Sequence, residues 1–127
     1  MDAMTLRRPA RPTPARLEWL QEQLAARVPD ELLAGATFRP SGLARPRLAV
    51  ATATRLILFH LRGAGSAMAV GDAYASWPAG SLRIAHERRP GTTVLHVEPA
   101  RGRGFALGLE GTPDAAALVA ALQWASA

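Results

Sequence analysis

Arg-Leu-Ile-Leu-Phe-His-Leu-Arg, residues 55–62, is the stretch that decides the fold. In an extended chain successive side chains point to opposite faces, so Ile57, Phe59 and Leu61 share one face and the other two leucines share the opposite one. This segment is predicted to be the clearest strand of the chain. Since a barrel interior accepts only one of these two apolar sets, the other set needs a cover.

Six further strands extend outward from this segment. Alternating or apolar runs, separated by glycine, proline and serine, predict strands at 32–38, 47–52, 73–77, 81–88, 93–98 and 103–109, while 67–72 receives no assignment. No helical pattern separates these strands, which excludes an alternating α/β layout. Seven short strands in meander spacing indicate a sandwich or a barrel.

A helix is predicted on each side of the strands. The N-terminal helix covers 14–29, with Thr13 as its cap and Pro29 as its stop. The C-terminal helix has Thr112 as its cap and Pro113 at its first position. One stripe is Leu17, Leu20, Gln21, Leu24 and Val28; the other is Ala115, Leu118, Val119 and Leu122. Helices this short are stable only when such a stripe packs on something.

The composition is that of one folded domain. The chain has 127 residues, of which 49% are hydrophobic and 20% are charged. It has no cysteine, which excludes disulfides and thiolate chemistry. No apolar run reaches the length of about 20 residues that spans a bilayer. We therefore expect a cytoplasmic protein without a transmembrane segment.

The net charge of +5 is unevenly distributed. All 15 basic residues are arginine, and four of them lie in residues 1–16 against one aspartate, which accounts for +3 of the +5. With its prolines, the segment 1–13 is predicted to be a disordered basic tail. Non-specific nucleic-acid binding through this tail ranks below the other binding functions considered, because no recognition helix or aromatic stacking platform accompanies it.

One part of the sequence resembles a known family. Thr52-Ala53-Thr54-Arg55-Leu56-Ile57-Leu58-Phe59 is similar to a strand pair of bacterial pleckstrin-homology-like (PH-like) domains. The order that follows is similar too: Trp77-Pro78, three strands, Gly104-Phe105-Ala106-Leu107, then an amphipathic helix. The resemblance covers roughly 30–124. It implies a mainly β fold, a bent seven-stranded barrel over 30–127 capped by the C-terminal helix, to which the helix 14–29 is an addition.

The resemblance also implies a class of function. PH-like domains are usually non-catalytic; eukaryotic relatives bind lipid headgroups or peptides, and some bacterial ones assemble into rings. In the members that bind phosphoinositides, a basic residue ends the first strand and a basic-x-basic pair enters the second. Arg39 and the pair Arg45 and Arg47 match that spacing.

In an antiparallel meander, further arginines should lie at the same end as these three. Alternate turns share one end of the sheet, so Arg62, Arg88 and Arg89 are expected beside Arg39, Arg45 and Arg47. Six guanidinium groups around one barrel mouth would suit an anionic headgroup or another phosphate-containing ligand. The alternative is that these arginines are ordinary solvated charges at strand ends.

Leu56 and Leu58 carry the apolar surplus of the central strand. Either the N-terminal helix covers them with Leu17, Leu20 and Leu24, or a second copy of the protein does. These five leucines are the candidate interface, and the two alternatives stay open.

No pattern in the chain indicates catalysis. His60, His86 and His96 have no metal-binding spacing, no serine lies in a nucleophile elbow, and no phosphate loop is present. We therefore expect no cofactor, no metal and no enzymatic activity. The sequence predicts a non-catalytic module that binds a protein partner or forms a homo-oligomer, with anionic headgroup binding as the alternative.

Overall fold

The computed structural model describes residues 14–42 and 44–127. The described elements, in chain order, are α1 (Pro14–Leu24), β1 (Leu32–Phe38), β2 (Arg47–Thr52), β3 (Arg55–Arg62), β4 (Ala69–Pro78), β5 (Leu82–Arg89), β6 (Thr92–Pro99), β7 (Phe105–Leu109) and α2 (Thr112–Ala125). Short 3₁₀ turns at Gly65–Ala67 and Ala79–Ser81 flank β4. The fold is therefore mainly β, as predicted. The predicted tail 1–13, including the predicted cap Thr13, lies outside the described residues.

The seven strands form one antiparallel sheet with the order β4-β3-β2-β1-β7-β6-β5. The sheet is not closed into a barrel, so the prediction of a barrel was wrong on this point. Among the described residues, β4 and β5 stand at the two ends of the order and do not pair. The chain turns away after β4 because Pro78 has no N–H group and the next residue, Ala79, bonds to Thr54 O at 2.8 Å.

Side chains close part of the gap that the strands leave open. The ring of Trp77 on β4 lies 4.7 Å, centroid to centroid, from that of Phe105 on β7. Helix α2 packs against β1, β2, β5 and β6 and fills the space between the two halves of the sheet. Helix α2 and these two aromatic rings thus pack between the two halves of the sheet, which in a closed barrel would be joined by hydrogen bonds between β4 and β5.

Each apolar face of β3 has its own helix. Leu56 and Leu58 belong to the larger core, which α2 covers with Leu118 and Leu122. Ile57, Phe59 and Leu61 belong to a second core that α1 covers with Leu20 and Leu24. The helix that covers the leucine pair is therefore α2, whereas α1 covers the opposite face.

A polar cluster holds the connection between α1 and β1. The buried hydroxyl of Thr52 accepts hydrogen bonds from the N–H groups of Thr54 and Arg55 and donates to the carboxylate of Asp30 at 3.2 Å. Asp30 also accepts from the Thr54 hydroxyl and pairs with Arg55 Nε at 2.9 Å. The threonine–arginine motif of the β2–β3 turn therefore anchors the segment that follows α1.

The two helices end differently from their predicted bounds. Helix α1 ends at Leu24, before the predicted limit at 29, and a single turn continues to Val28 through its N–H bond to Leu24 O. Helix α2 starts at Thr112, so Gly111, with φ 78°, occupies the cap position expected for Thr112. Within the described ranges, neither helix has the length and apolar character needed to cross a bilayer.

Candidate functional site

The β4 edge of the sheet is protected. The N–H of Val70 donates to Gln23 Oε1 at 3.0 Å, and the Arg27 guanidinium donates to the carbonyls of Val70 and Gly71 at 3.0 and 2.8 Å. Two register shifts interrupt the pairing of β3 with β4, and the strand ends in proline. Bulges, proline and covering side chains are among the devices by which proteins block strand addition, and charged side chains on the edge are another.

Within the part of the chain that the structure describes, the β5 edge has no bulge, no internal proline and no side-chain cap, although it carries several charged side chains. Its pairing with β6 runs without a register shift from Leu82↔Pro99 to Arg89↔Thr92, beside a two-residue turn in which Gly91 has φ 74°. Antiparallel pairs alternate between bonded and non-bonded, and the pair that flanks a two-residue turn is bonded. The main-chain N–H and C=O groups of residues 84, 86 and 88 therefore point away from β6.

A groove of about 240 Å³ runs beside this edge, between β5 and α2. Its lining residues are His86, Arg88, Thr93, Ala116, Val119, Ala120 and Gln123. A smaller pocket at the β5–β6 turn shares Arg88 and Thr93 and continues the groove toward Ala115 in the first turn of α2. An exposed strand edge and an apolar helix face thus lie side by side.

The two faces of β5 differ in charge compensation. On the face away from α2, Glu87 accepts hydrogen bonds from Arg89 at 3.1 Å and His96 at 3.3 Å. The bond from Arg89, followed by that from His96, holds the pKa of Glu87 below its usual range. On the groove face, the lining contains no carboxylate, and Arg88 has no hydrogen-bonding or ionic partner among the described residues.

The sheet register places all six candidate arginines at one end of the sheet. The pairs Arg47↔His60, Phe38↔Arg47, Phe38↔Leu109, Thr93↔Leu109 and Arg88↔Thr93 connect the relevant strand ends. Most of these guanidinium groups have internal partners, however. Arg39 pairs with Glu110 at 3.0 Å, Arg62 with Asp72 at 3.3 Å and Arg89 with Glu87 at 3.1 Å, Arg45 donates to Gly63 O at 3.3 Å, and Arg47 lies 4.9 Å from the centre of the Tyr74 ring.

The candidate interface leucines lie inside the chain. Leu20, Leu24, Leu56 and Leu58 are buried, and Leu17 is half-buried against the core under α1. The two covers considered for Leu56 and Leu58 were the N-terminal helix and a second copy, and neither is the cover that the structure shows: α2 covers this pair, while α1 covers the opposite face of β3. These leucines therefore offer little surface to a second copy.

The groove residues on α2 were missed by sequence reasoning. The predicted stripe covers only one face of α2. The whole run 115–125 lacks charged side chains, so the outward positions Ala116, Ala120 and Gln123 are uncharged as well. A helix that is apolar on nearly all sides is expected to be covered on nearly all sides. That signal was available in the sequence, although the identity of the neighbouring strand was not.

Other chemistry-bearing groups do not converge. Within residues 14–42 and 44–127, no three histidine, aspartate or glutamate side chains come together in a way that could hold a metal ion. At Asp30, hydrogen bonds from Thr54 and then Arg55 hold the pKa of the carboxyl below its usual range. These bonds belong to the structural anchor described above.

Comparison with models of known protein families gives no match, and comparison with curated proteins gives none either. The PH-like resemblance therefore stays a prediction.

Proposed function

We propose that this protein is a non-catalytic, PH-like binding module that takes an extended segment of a partner protein along β5. The segment would add an eighth strand to the sheet and place alternate side chains in the groove against α2. The observation that carries this proposal is the contrast between the two edges. One edge is capped by Gln23 and Arg27, while the other is regular, unpaired among the described residues and flanked by an apolar groove.

Both parts of the site contribute to binding in this proposal. Main-chain bonds to the outward groups of residues 84, 86 and 88 would supply affinity that depends little on sequence. Burial of the uncharged face of α2, at Ala116 and Ala120, would add hydrophobic binding energy and select small or branched side chains in the bound segment.

A different protein is favoured over a second copy as the partner. Strand β5 carries Arg83, Arg88 and Arg89 against Glu87 alone, so pairing with itself would bring two net positive strands together. The leucines that could have formed an apolar self-interface are buried within the chain. Homo-oligomerisation through the same edge is therefore an outcome of the test and not the proposal.

A proline substitution gives a sharp test of the site. Full-length protein is used to select binders from a displayed library of random ten-residue peptides, and affinities of the recovered peptides are measured by fluorescence anisotropy. His86→Pro removes an outward N–H while leaving the β5–β6 bonds in place, because proline is tolerated where the N–H of an edge strand faces solvent. His86→Ala is the matched control, since it changes the side chain and keeps the N–H.

We expect His86→Pro to abolish binding and His86→Ala to weaken it only slightly. Amide exchange at residues 84, 86 and 88 should slow when peptide is bound. Equal binding by both variants, or recovery of no binding peptide, would refute the proposal. A concentration-dependent increase in mass by light scattering that His86→Pro removes would assign the edge to a second copy instead.

A second candidate is binding of an anionic headgroup at the arginine-rich end. It is favoured by the register, which gathers six arginines there, and disfavoured by the internal partners of five of them. Vesicles containing phosphatidylserine provide the probe. Binding that is lost on combined Arg45→Glu and Arg47→Glu substitution, and that falls steeply with salt, would support this function over the peptide site.

A further inference from the structure

We infer that the segment bound along β5 carries an acidic side chain, aspartate or glutamate, at the position beside Arg88. This inference rests on the proposed function and adds the chemistry of the partner to it. Its basis is a charge for which the described residues supply no partner. Arg88 lines both the main groove and the pocket at the β5–β6 turn, and neither lining contains a carboxylate.

The remainder of β5 shows why this arginine differs from its neighbours. Arg89 is held by Glu87 on the opposite face of the strand, and Arg83 stands directly across from Glu98 in the register with β6. Arg88 is opposite Thr93, an uncharged residue, and has no hydrogen-bonding or ionic partner among the described residues. Arg83 has no ion pair of its own among the described residues either, but it lies across from a carboxylate, whereas the lining around Arg88 contains none.

The position of the charge within the groove defines a sequence pattern for the partner. Side chains of an added strand that face the groove recur every second residue. If one lies beside Arg88, the next groove-facing residue lies near His86, over Val119 and Ala120, where the lining is largely apolar. The inferred segment is thus an acidic residue followed or preceded, two and four positions away, by apolar residues.

A carboxylate is favoured over a lipid headgroup for two reasons. Beyond Arg88 the groove is lined by Ala116, Val119 and Ala120 together with the uncharged polar side chains of Thr93 and Gln123, a mixed surface that suits the side chains of an extended chain. Its wall is a strand whose main-chain groups point outward, and these groups bind peptide and not lipid.

The test compares selections on three forms of the full-length protein. The displayed ten-residue library is selected on wild type, on Arg88→Glu and on Arg83→Glu, which places the same charge change on the outer face of the same strand. We expect peptides selected on wild type to carry Asp or Glu at one fixed position, with apolar residues two and four positions away. We expect Arg88→Glu to select Lys or Arg there and Arg83→Glu to keep the acidic preference.

Affinity should change accordingly. An exposed ion pair contributes up to about 1 kcal/mol, so Arg88→Gln should weaken an acidic peptide by up to about fivefold and a neutral analogue hardly at all. Peptides that bind at β5, as judged by sensitivity to His86→Pro, but show no acidic preference would overturn this inference and leave the proposed function standing. If no peptide binds, or binding is insensitive to His86→Pro, both fail together.

Discussion

The contact between α1 and the sheet can be tested with Gly35→Ala, a substitution whose effect on the free energy of unfolding should change sign when the Leu20 side chain is removed. Gly35 lies on β1 beneath α1, and a Cβ atom built on it would stand 2.9 Å from Leu20 Cδ1 and 3.5 Å from Ala49 O. The first distance is shorter than real Cβ contacts, and Leu20 is completely buried and has little room to move. In the wild-type background, Gly35→Ala should therefore overpack the site.

The magnitudes of the two substitutions can be set against each other. Overpacking a core costs about 1–3 kcal/mol, while replacing a strand glycine with alanine returns about 0.5–1 kcal/mol of backbone entropy. Gly35→Ala alone should lower the free energy of unfolding by about 1 kcal/mol. Leu20→Ala alone should lower it by about 3–5 kcal/mol, because it leaves a cavity in a buried site. In the Leu20→Ala background the clash is gone, so Gly35→Ala should raise the free energy of unfolding.

The measurement is a double-mutant cycle in which urea unfolding of each variant is monitored by far-ultraviolet circular dichroism. Gly108→Ala on β7 is the matched control, since its added Cβ meets only Thr92 Cγ2 at an ordinary 3.8 Å. Its effect should be the same in both backgrounds. If Gly35→Ala is equally destabilising with and without Leu20, the packing of α1 over β1 is refuted.

Two further predictions concern polar contacts. Asp30→Asn should destabilise the protein at pH 7 by about 1.5 kcal/mol or more, because it weakens charged hydrogen bonds. Since the pKa of Asp30 is lowered by folding, its contribution is complete above about pH 4 and is lost as the pH falls through the folded value, so urea unfolding curves of variant and wild type should converge in acid. Arg27→Ala uncaps the carbonyls of Val70 and Gly71, so light scattering should show greater self-association, whereas an unchanged monomer would contradict the protective role of this cap.

Local pattern was sufficient for the elements whose neighbours are close in sequence. The strands 32–38, 47–52 and 55–62 have the predicted bounds, because alternation and turn residues act over a few positions. The segment 67–72 had no such pattern. Its last residues join β4, where Gln23 and Arg27, far away in sequence, satisfy the main chain. Long-range bonds of this kind leave no trace in a local window.

The two faces of β3 show a second limit on what the sequence can predict. A strand that is apolar on both sides must be covered twice, and the sequence predicts this. It does not determine which helix covers which side, because α1 and α2 both present leucine stripes of similar size. Helix α2, and not α1, covers Leu56 and Leu58 because α2 packs across β1, β2, β5 and β6 on that side of the sheet.

The candidate arginines show the same division between topology and partners. Their gathering at one end of the sheet follows from antiparallel order alone and could be expected from the turns. Their neutralisation could not, because Glu110 and Asp72 approach Arg39 and Arg62 only in the folded chain. The groove beside β5 could not be predicted either, since it requires α2 to lie next to a strand from which two others, β6 and β7, separate it in the chain.

The unequal protection of the two edges links stability to the proposed function. An open sheet has two rows of unpaired main-chain groups, and each invites strand addition. Here one edge is interrupted by bulges and capped by side chains from α1 and the turn after it, which also covers the second core. The same segment thus stabilises the sheet and blocks one of its two open edges. Strand β5 remains a regular edge without a cap. Its net positive charge, and not a covering side chain, disfavours pairing with the β5 strand of a second copy. A fold that needed only solubility would gain from blocking both edges, so the open one is where a partner segment is expected to bind.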